Sequence, residues 1–197
     1  NKTKIAISND DTRHYLNGIF LHLTEAHGRS FLTGVATDSH RLSSSSVEVE
    51  GADNFSSMIL PRKTVFQLCS LLAETNEKLS IQTSENKIKF NLGNVKLVSK
   101  VIDGKFPDYK KVVPTNNEKS LIVSSKDLIN SIERVASVSL DRKEGLKLII
   151  NKENIQLSVN SANSGEGNEV IKANFNSNNL NISFNSKYLI DIASEIE

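Results

Sequence analysis

The stretch VATDSHRLSSSS, residues 35–46, holds the side chains of this chain that are best suited to chemistry. Asp38, Ser39 and His40 are of the types that hydrolases use as orienting acid, nucleophile and base. Neighbouring side chains on an extended strand point to opposite faces, so Asp38 and Ser39 would diverge while Asp38 and His40 share a side. No GxSxG motif accompanies them. We therefore expect no catalytic residue here, but a strand end with structural hydrogen bonds and Asp38 pointing into a turn.

A metal or nucleotide site is also not expected. A metal site needs several clustered ligands, and the histidines are scattered along the chain. They are His14, His22, His27 and His40. GEG at 165–167 is too weak a nucleotide signal, and no P-loop is present, so we expect no cofactor. The serines at 43–46 suit either a linker or, because VEVE follows, an edge strand, which we favour.

Composition indicates a globular protein of the cytoplasm. The chain has 197 residues, 38% of them hydrophobic, with 24 Lys plus Arg against 23 Asp plus Glu. The net charge of +1 means that any nucleic-acid contact must come from local patches. A single Cys69 excludes a disulfide scaffold and fits a reducing compartment; in VFQLCSLL it is expected to be a buried hydrophobe. No apolar run approaches the roughly 18 residues of a membrane-spanning helix, and no signal peptide opens the chain.

Three segments repeat one another without gaps. Each has a strand-like lead-in, then Pro61, Ser124 or Asn185, which suit a helix start or cap, then apolar residues at helical spacing. Ser124 with Asp127 has the form of a capping box. A lysine recurs at intervals of about 62 residues. The segments are LPRKTVFQLCSLL (60–72), VSSKDLINSIERV (123–135) and FNSKYLIDIASEI (184–196). The pattern predicts three strand–helix units.

β-Hairpins are predicted after the first two helices. KLSIQTSENKIKFNL (78–92) and KLIINKENIQLSV (147–159) alternate apolar and polar residues around a polar turn. A longer repeat matches 10–23 to 140–150 and pairs Gly18 with Gly145, so two units make a domain. Antiparallel strands after each helix imply an α+β fold rather than βαβ crossovers. Residues 1–8 match the inside of a helix and the chain stops within another, so we expect an excerpt of a longer protein.

Five motifs stand in order along the chain: YLNGIFL (15–21), VATDSHRL (35–42), LPRKTV (60–65), VIDGKFPDYKKVVP (101–114) and FNSKYL (184–189). Together they resemble the bacterial DNA polymerase III beta subunit, the replicative sliding clamp, essentially from end to end. The resemblance assigns residues 1–118 to the middle clamp domain, with its first helix truncated, and 119–197 to an incomplete third domain. It implies the DNA-clamp fold, a head-to-tail dimeric ring of six similar domains with helices lining the hole.

The resemblance also implies a peptide pocket between the family's second and third domains. Partner proteins insert a short Gln-plus-hydrophobic peptide there, on apolar anchors with a polar rim. The matching residues are Leu16, Thr37, Ser39, His40, Arg41, Leu42, Pro107, Lys111, Val112, Asn185 and Tyr188. Two of them depart from the pattern that the resemblance implies. Ser39 stands where the family usually has glycine, so there is slightly less room for a backbone to approach. Lys111 stands in place of an arginine, which weakens any bidentate contact.

DNA contacts are implied at helix starts and in two loops. A lysine at a helix N-terminus is either simply solvated or part of a phosphate site, and its recurrence favours the phosphate site. In the loop of residues 10–15, Asp10 stands where the family commonly has a polar amide, which weakens the contact of this loop with DNA. The expected DNA-binding residues are Arg13, His14, Tyr15, Arg62, Lys63, Lys126, Arg134, Arg142 and Lys143. Lys187 recurs as well, but its neighbours match the peptide pocket.

The implied function is that of a non-catalytic processivity subunit of the DNA polymerase III holoenzyme. A homodimeric ring would encircle double-stranded DNA without sequence specificity and tether the replicative polymerase, the clamp loader and repair proteins; a separate ATP-dependent loader would open it. No membrane partner is expected. Two alternatives remain: a repeat-built adaptor that binds peptides but not DNA, and a hydrolase centred on Asp38 and His40.

Overall fold

The computed structural model describes residues 1–51, 55–139 and 145–196 and divides into two compact units. Unit 1 spans Asn1–Asp108, and unit 2 spans Tyr109–Glu197. The division after residue 118 stays a prediction from the resemblance. A 3₁₀ turn covers Tyr109–Lys111, and the next strand begins only at Leu121.

The described residues of unit 1 form two antiparallel sheets and one α-helix. The sheets have the strand orders β3-β2-β1-β4 and β5-β6-β7, and 3₁₀ turns cover Lys4–Ala6 and Asp11–Leu16. The regular elements are β1 (Gly18–Ala26), β2 (Arg29–Thr37), β3 (Leu42–Glu48), β4 (Met58–Pro61), α1 (Arg62–Ala73), β5 (Ser80–Thr83), β6 (Lys87–Leu92) and β7 (Val95–Lys100).

The described residues of unit 2 form a four-stranded sheet, a two-stranded sheet and two α-helices. Its sheet has the order β11-β10-β9-β13, and β8 pairs with β12 separately. The elements are β8 (Leu121–Ile122), α2 (Ser125–Ala136), β9 (Leu146–Ile150), β10 (Asn154–Ser161), β11 (Gly165–Lys172), β12 (Asn174–Phe175), β13 (Leu180–Phe184) and α3 (Ser186–Ala193). The predicted α+β class, the hairpins β5–β6 and β9–β10, and the three strand–helix units are all confirmed.

The helix starts follow from their caps. Ser124 Oγ accepts a hydrogen bond from the Asp127 amide at 3.3 Å, and Asn185 Oδ1 accepts one from the Lys187 amide at 2.9 Å. Each satisfies an amide that the first helical turn leaves unpaired. Pro61 precedes α1 in extended conformation and makes no side-chain cap. The recurrent lysine is the second residue of each helix, as the repeat predicts.

Each unit has its own core on the alternating face of its strands. In β6, Ile88, Phe90 and Leu92 are buried, and their neighbours are more exposed. In unit 2, Ile155 and Leu157 of β10 face the buried side of α2. Cys69 is half-buried at the edge of the unit 1 core. The burial follows the periods of two for strands and 3.6 for helices that the sequence pattern shows.

Residues 43–46 form part of a strand in unit 1. Ser43–Ser46 belong to β3, which pairs with β2 at the edge of its sheet, so the linker interpretation is wrong. Thr33 Oγ1 lies 2.8 Å from Ser46 Oγ and 2.7 Å from Thr24 Oγ1, a row of hydroxyl groups across three strands. Cross-strand hydroxyl pairs of this kind stabilise a sheet. Within the described residues, no helix is long and apolar enough to cross a membrane.

Candidate functional site

The turn between β2 and β3, residues 38–41, is held together by the Asp38 carboxylate. Its Oδ1 accepts hydrogen bonds from the His40 and Arg41 amides, and its Oδ2 accepts one from Arg41 Nε, all at 3.0 Å. Thr37 Oγ1 donates to the Arg41 carbonyl oxygen at 2.7 Å. The Asp38–Arg41 pair is largely buried, with 15% and 12% of the side chains exposed. The prediction that Asp38 makes structural hydrogen bonds in a turn is confirmed.

Ser39 has a left-handed backbone conformation, with a φ of 76°. The extended geometry expected for Asp38, Ser39 and His40 is therefore wrong, because the Asp38 side chain captures two amides and reverses the chain. A non-glycine residue in this conformation costs about 1–2 kcal/mol. A glycine in this conformation would carry no such cost.

Arg13 joins the loop of residues 10–16 to this turn. Its Nε donates to Asp10 Oδ2 at 2.9 Å, and its Nη1 donates to Ser39 Oγ. Asp10 in turn accepts from the Thr12 amide at 2.9 Å and from Thr12 Oγ1 at 2.6 Å. Hydrogen bonds from Thr12, and then from Arg13, lower the pKa of the Asp10 carboxyl. The structure thus places Arg13, an expected DNA contact, against a turn that the resemblance assigns to peptide binding.

His14 and Tyr15 pack against the segment DGKF, residues 103–106. His14 Nε2 lies 3.1 Å from the Asp103 carbonyl oxygen. A Cβ on Gly104 would lie 3.0 Å from the Cβ of Tyr15, so the position leaves little room for a side chain. Phe106 is buried and stacks on Phe20 with ring centroids 5.0 Å apart. Two of the family motifs, YLNGIFL and VIDGKFPDYKKVVP, therefore meet within unit 1.

A cleft of about 550 Å³ lies at the start of α1. It brings together three of the expected DNA-binding residues, His14, Arg62 and Lys63, with Asp11 and Asn17 on the same wall. The Arg62 amide donates to the Asn17 carbonyl oxygen at 2.9 Å, and its guanidinium lies 5.2 Å from the centroid of the Phe66 ring. Two cations at one opening, at the positive end of a helix dipole, favour an anionic ligand such as a phosphate.

The remaining peptide residues of unit 1 differ in exposure. Leu16 is only 2% exposed, so it offers almost no surface within this unit. Leu42 begins β3 and is half-buried, whereas His40 and Pro107 are exposed. Gly18, which ends the YLNG motif, lies against β4: a Cβ there would come within 2.2 Å of a β4 carbonyl oxygen. The motif therefore serves packing as much as surface contact.

Unit 2 presents its expected peptide residues at two places. Lys111 ends the 3₁₀ turn Tyr109–Lys111, and Val112 follows with 69% of its surface exposed. Asn185 caps α3, and Tyr188 in the first turn of that helix is half-buried. A half-buried tyrosine is a suitable anchor for a peptide, and the exposed valine adds apolar surface near the start of the unit.

The expected DNA-binding cations of unit 2 are not equally available. Lys126 is exposed. Arg134 donates to both carboxylate oxygens of Glu169, from Nε at 3.1 Å and from Nη2. These hydrogen bonds lower the pKa of the Glu169 carboxyl and raise the pKa of the Arg134 guanidinium. Lys187 pairs with Asp191 at 3.2 Å. The two other expected residues, Arg142 and Lys143, lie outside the described residues.

Sequence reasoning missed the acidic partners of these cations. Asp191 is four residues after Lys187, and that spacing on a helix could have indicated the pair. Glu169 is 35 residues from Arg134 and carries no such signal. Among the residues that the structure describes, no group of three His, Cys, Asp or Glu side chains could hold a metal ion.

Comparison with known proteins gives one consistent result. Residues 1–108 match the family model of the DNA polymerase III beta subunit central domain, and residues 110–197 match that of its C-terminal domain. The beta sliding clamp of Caulobacter vibrioides is 36% identical over 99% of this chain and 53% of its own length. The chain thus spans about half the length of the curated relatives it matches.

Solved structures agree. A sliding clamp from Bartonella birtlesii bound to griselimycin is 40% identical, with a TM-score of 0.95 over 100% of this chain and 53% of that one. A Caulobacter crescentus beta sliding clamp with bound polyethylene glycol is 36% identical, with a TM-score of 0.95 over 100% of this chain and 52% of that one. Since two family models account for nearly every residue, the chain belongs to the DNA polymerase III beta subunit family, the bacterial beta sliding clamps.

Proposed function

We propose that this chain is part of a non-catalytic sliding clamp that encircles duplex DNA and tethers the replicative polymerase and other partners through short peptides. The observation that carries the proposal is the match of both family domains, in order, along the chain. The proposed intact protein is a homodimeric ring. Closure of a ring retains DNA topologically, so a net charge of +1 does not argue against the proposal.

Peptide binding is proposed for the residues assigned by resemblance. In unit 1 the exposed His40 lies on the turn of residues 38–41, whose backbone is held by the Asp38 carboxylate and by the hydrogen bond from Arg13 to Ser39. A fixed backbone with a polar rim suits an extended peptide, because little conformational entropy is lost on binding. In unit 2, Val112, Asn185 and Tyr188 supply apolar and amide groups of the kinds that such a peptide needs.

A peptide titration tests this part of the proposal. A fluorescein-labelled Gln-Leu-X-Leu-Phe peptide would be titrated into the chain and followed by anisotropy, with an expected Kd roughly between micromolar and sub-millimolar. His40→Asn and Tyr188→Ala should weaken binding. His27→Asn is the matched control, since His27 is exposed in the β1–β2 turn and lies outside the proposed peptide site. Equal binding by the His40 and His27 variants would remove the turn from the proposed peptide site.

DNA binding is proposed for the cleft at the start of α1 and for Lys126. These contacts would be made to phosphates and would be independent of sequence, because the chain carries no base-reading motif. Arg134 is engaged by Glu169 in this structure and would have to leave that partner to bind a phosphate. A loose lining of few cations is consistent with sliding, since phosphate contacts carry no sequence information.

Charge reversal tests the DNA part. Lys63→Glu combined with Lys126→Glu should weaken binding to a random duplex. The slope of log K against log salt should become shallower by about 0.9 for each phosphate that the variant no longer neutralises. Lys87→Glu combined with Lys89→Glu on β6 is the control with the same change in net charge. If both double variants bound DNA like the parent chain, a peptide adaptor without DNA binding would be the better function.

A further inference from the structure

We propose that Arg13 is a positioning residue that holds the turn of residues 38–41 in shape, and that the chain depends on it because residue 39 is a serine. Ser39 is in the left-handed region at φ 76°, where glycine is favoured. Arg13 Nη1 donates to Ser39 Oγ and thereby ties the strained residue to the neighbouring loop. The proposal deepens the proposed peptide binding and rests on it for its affinity readout.

The guanidinium is held from its other side by Asp10. Arg13 Nε donates to Asp10 Oδ2 at 2.9 Å, and Thr12 donates two hydrogen bonds to Asp10 Oδ1. The Asp10 amide donates to Ser8 Oγ at 3.0 Å, which anchors the acid to the preceding residues. Arg13 therefore spans two fixed points, and its planar donors fit both at once. A lysine could not replace it, since a single ammonium group has no rigid fork of donors.

The two partners of Arg13 lie on different segments of unit 1. Asp10 belongs to the loop of residues 10–16, and Ser39 belongs to the turn of residues 38–41. The Asp10 carboxylate makes an ion pair with Arg13, and the Ser39 hydroxyl accepts a hydrogen bond that spans 26 residues of sequence. Arg13 therefore joins the loop to the turn.

The effect of Arg13 on peptide binding depends on which residue stands at position 39. Without Arg13, Ser39 loses the hydrogen bond that supports its left-handed conformation. The fraction of chains whose turn has the shape needed for peptide binding therefore falls. The apparent Kd rises in inverse proportion to that fraction. With Ser39→Gly the left-handed conformation carries no penalty, so the turn no longer needs Arg13. A direct contact between Arg13 and the peptide would show no such dependence on residue 39.

A double-mutant cycle on the full chain tests this. The expected result is that Arg13→Ala weakens peptide binding about fivefold with Ser39 present, but less than about twofold in the Ser39→Gly background. Equal weakening in the two backgrounds would overturn the proposal in favour of direct contact. Arg29→Ala is the matched control, because Arg29 makes an exposed ion pair with Glu48 in the same unit. Thermal unfolding checks that each variant is folded.

Amide hydrogen exchange gives a readout that needs no peptide. The His40 and Arg41 amides donate to Asp38 within the turn, so their exchange reports its opening. Arg13→Ala should speed their exchange about fivefold, and adding Ser39→Gly should remove that effect. Unchanged exchange in Arg13→Ala would overturn the proposal even if peptide affinity fell. If the exchange rates changed as expected but no peptide bound, the positioning role of Arg13 would be supported. Only the proposed peptide-binding function would then be contradicted.

Discussion

Leu16 is the residue for which the resemblance and the structure indicate different roles. The resemblance assigns it to the wall of a peptide pocket, but the structure leaves only 2% of it exposed. Leu16→Ala removes about three carbon atoms, worth about 2.4 kcal/mol at 0.8 kcal/mol for each buried methylene. The cavity left behind adds to this, so we expect a loss of about 3 kcal/mol in the free energy of unfolding of unit 1.

The loss can be measured by urea unfolding. With a slope of about 2 kcal/mol per molar urea, the midpoint should fall by about 1.5 M. Because the two units need not unfold together, hydrogen exchange of unit 1 peptides should accompany the far-UV circular dichroism. Leu16→Met, which conserves volume, should cost less than about 1.5 kcal/mol.

Val47→Ala is the control for the Leu16 variants, because Val47 is 60% exposed on the edge strand of the same unit. The reasoning would be refuted if Leu16→Ala cost less than about 1 kcal/mol while peptide affinity fell at least tenfold. Leu16 would then be a surface contact rather than a core residue. A large stability loss with little change in affinity of the folded fraction would support the packing role.

Three further predictions concern stability. Gly18→Ala should destabilise the chain by about 2–4 kcal/mol because its Cβ would meet a β4 carbonyl oxygen. Gly145→Ala, at the matched repeat position, should cost far less because its Cβ would make only an ordinary contact with Ser183 Cβ at 3.9 Å. Equal urea midpoints for the two variants would contradict this. Ser124→Ala should cost about 1 kcal/mol because it removes the α2 cap, and unchanged exchange of α2 amides would count against it. Glu169 has its folded pKa below its ordinary value of 4.5, so its pair with Arg134 stabilises the chain above pH 4.5 and stops doing so as pH falls through the folded pKa. Arg134→Gln should therefore lower the urea midpoint at pH 7 but not well below pH 4.5, and a difference independent of pH would refute the assignment.

Features that depend on residues a few positions apart were predicted correctly from the sequence. The starts of α2 and α3 follow from Ser124 and Asn185, whose side chains bind amides within three residues. The hairpins follow from alternating apolar residues around short polar turns. Asp38 was expected in a turn, and it binds the amides two and three residues further along the chain, those of His40 and Arg41. Such contacts are set by local geometry and need no knowledge of the fold.

Other features required the tertiary structure. Leu16 has the same local signals whether it lies in a core or on a pocket wall, and only the packing of distant segments decides its burial. The resemblance implies a glycine where this chain has Ser39, which could have indicated the left-handed conformation, but nothing in the sequence indicated the hydrogen bond from Arg13. The pairing of Arg134 with Glu169 likewise depends on how α2 lies on β11.

The sequence by itself therefore determined the family, the repeat, the element types and the caps, because these rest on periodicity and on contacts within one turn of chain. Only the tertiary structure decided that Arg134 pairs with Glu169 and that Arg13 bonds to Ser39, and whether a motif residue is surface or core. The physical reason is that side-chain exposure and such pairings depend on segments 26 or 35 residues apart, as for Arg13 with Ser39 and Arg134 with Glu169. Residues that far apart in sequence are brought into contact by packing of the core, and the local patterns of this chain do not predict that packing.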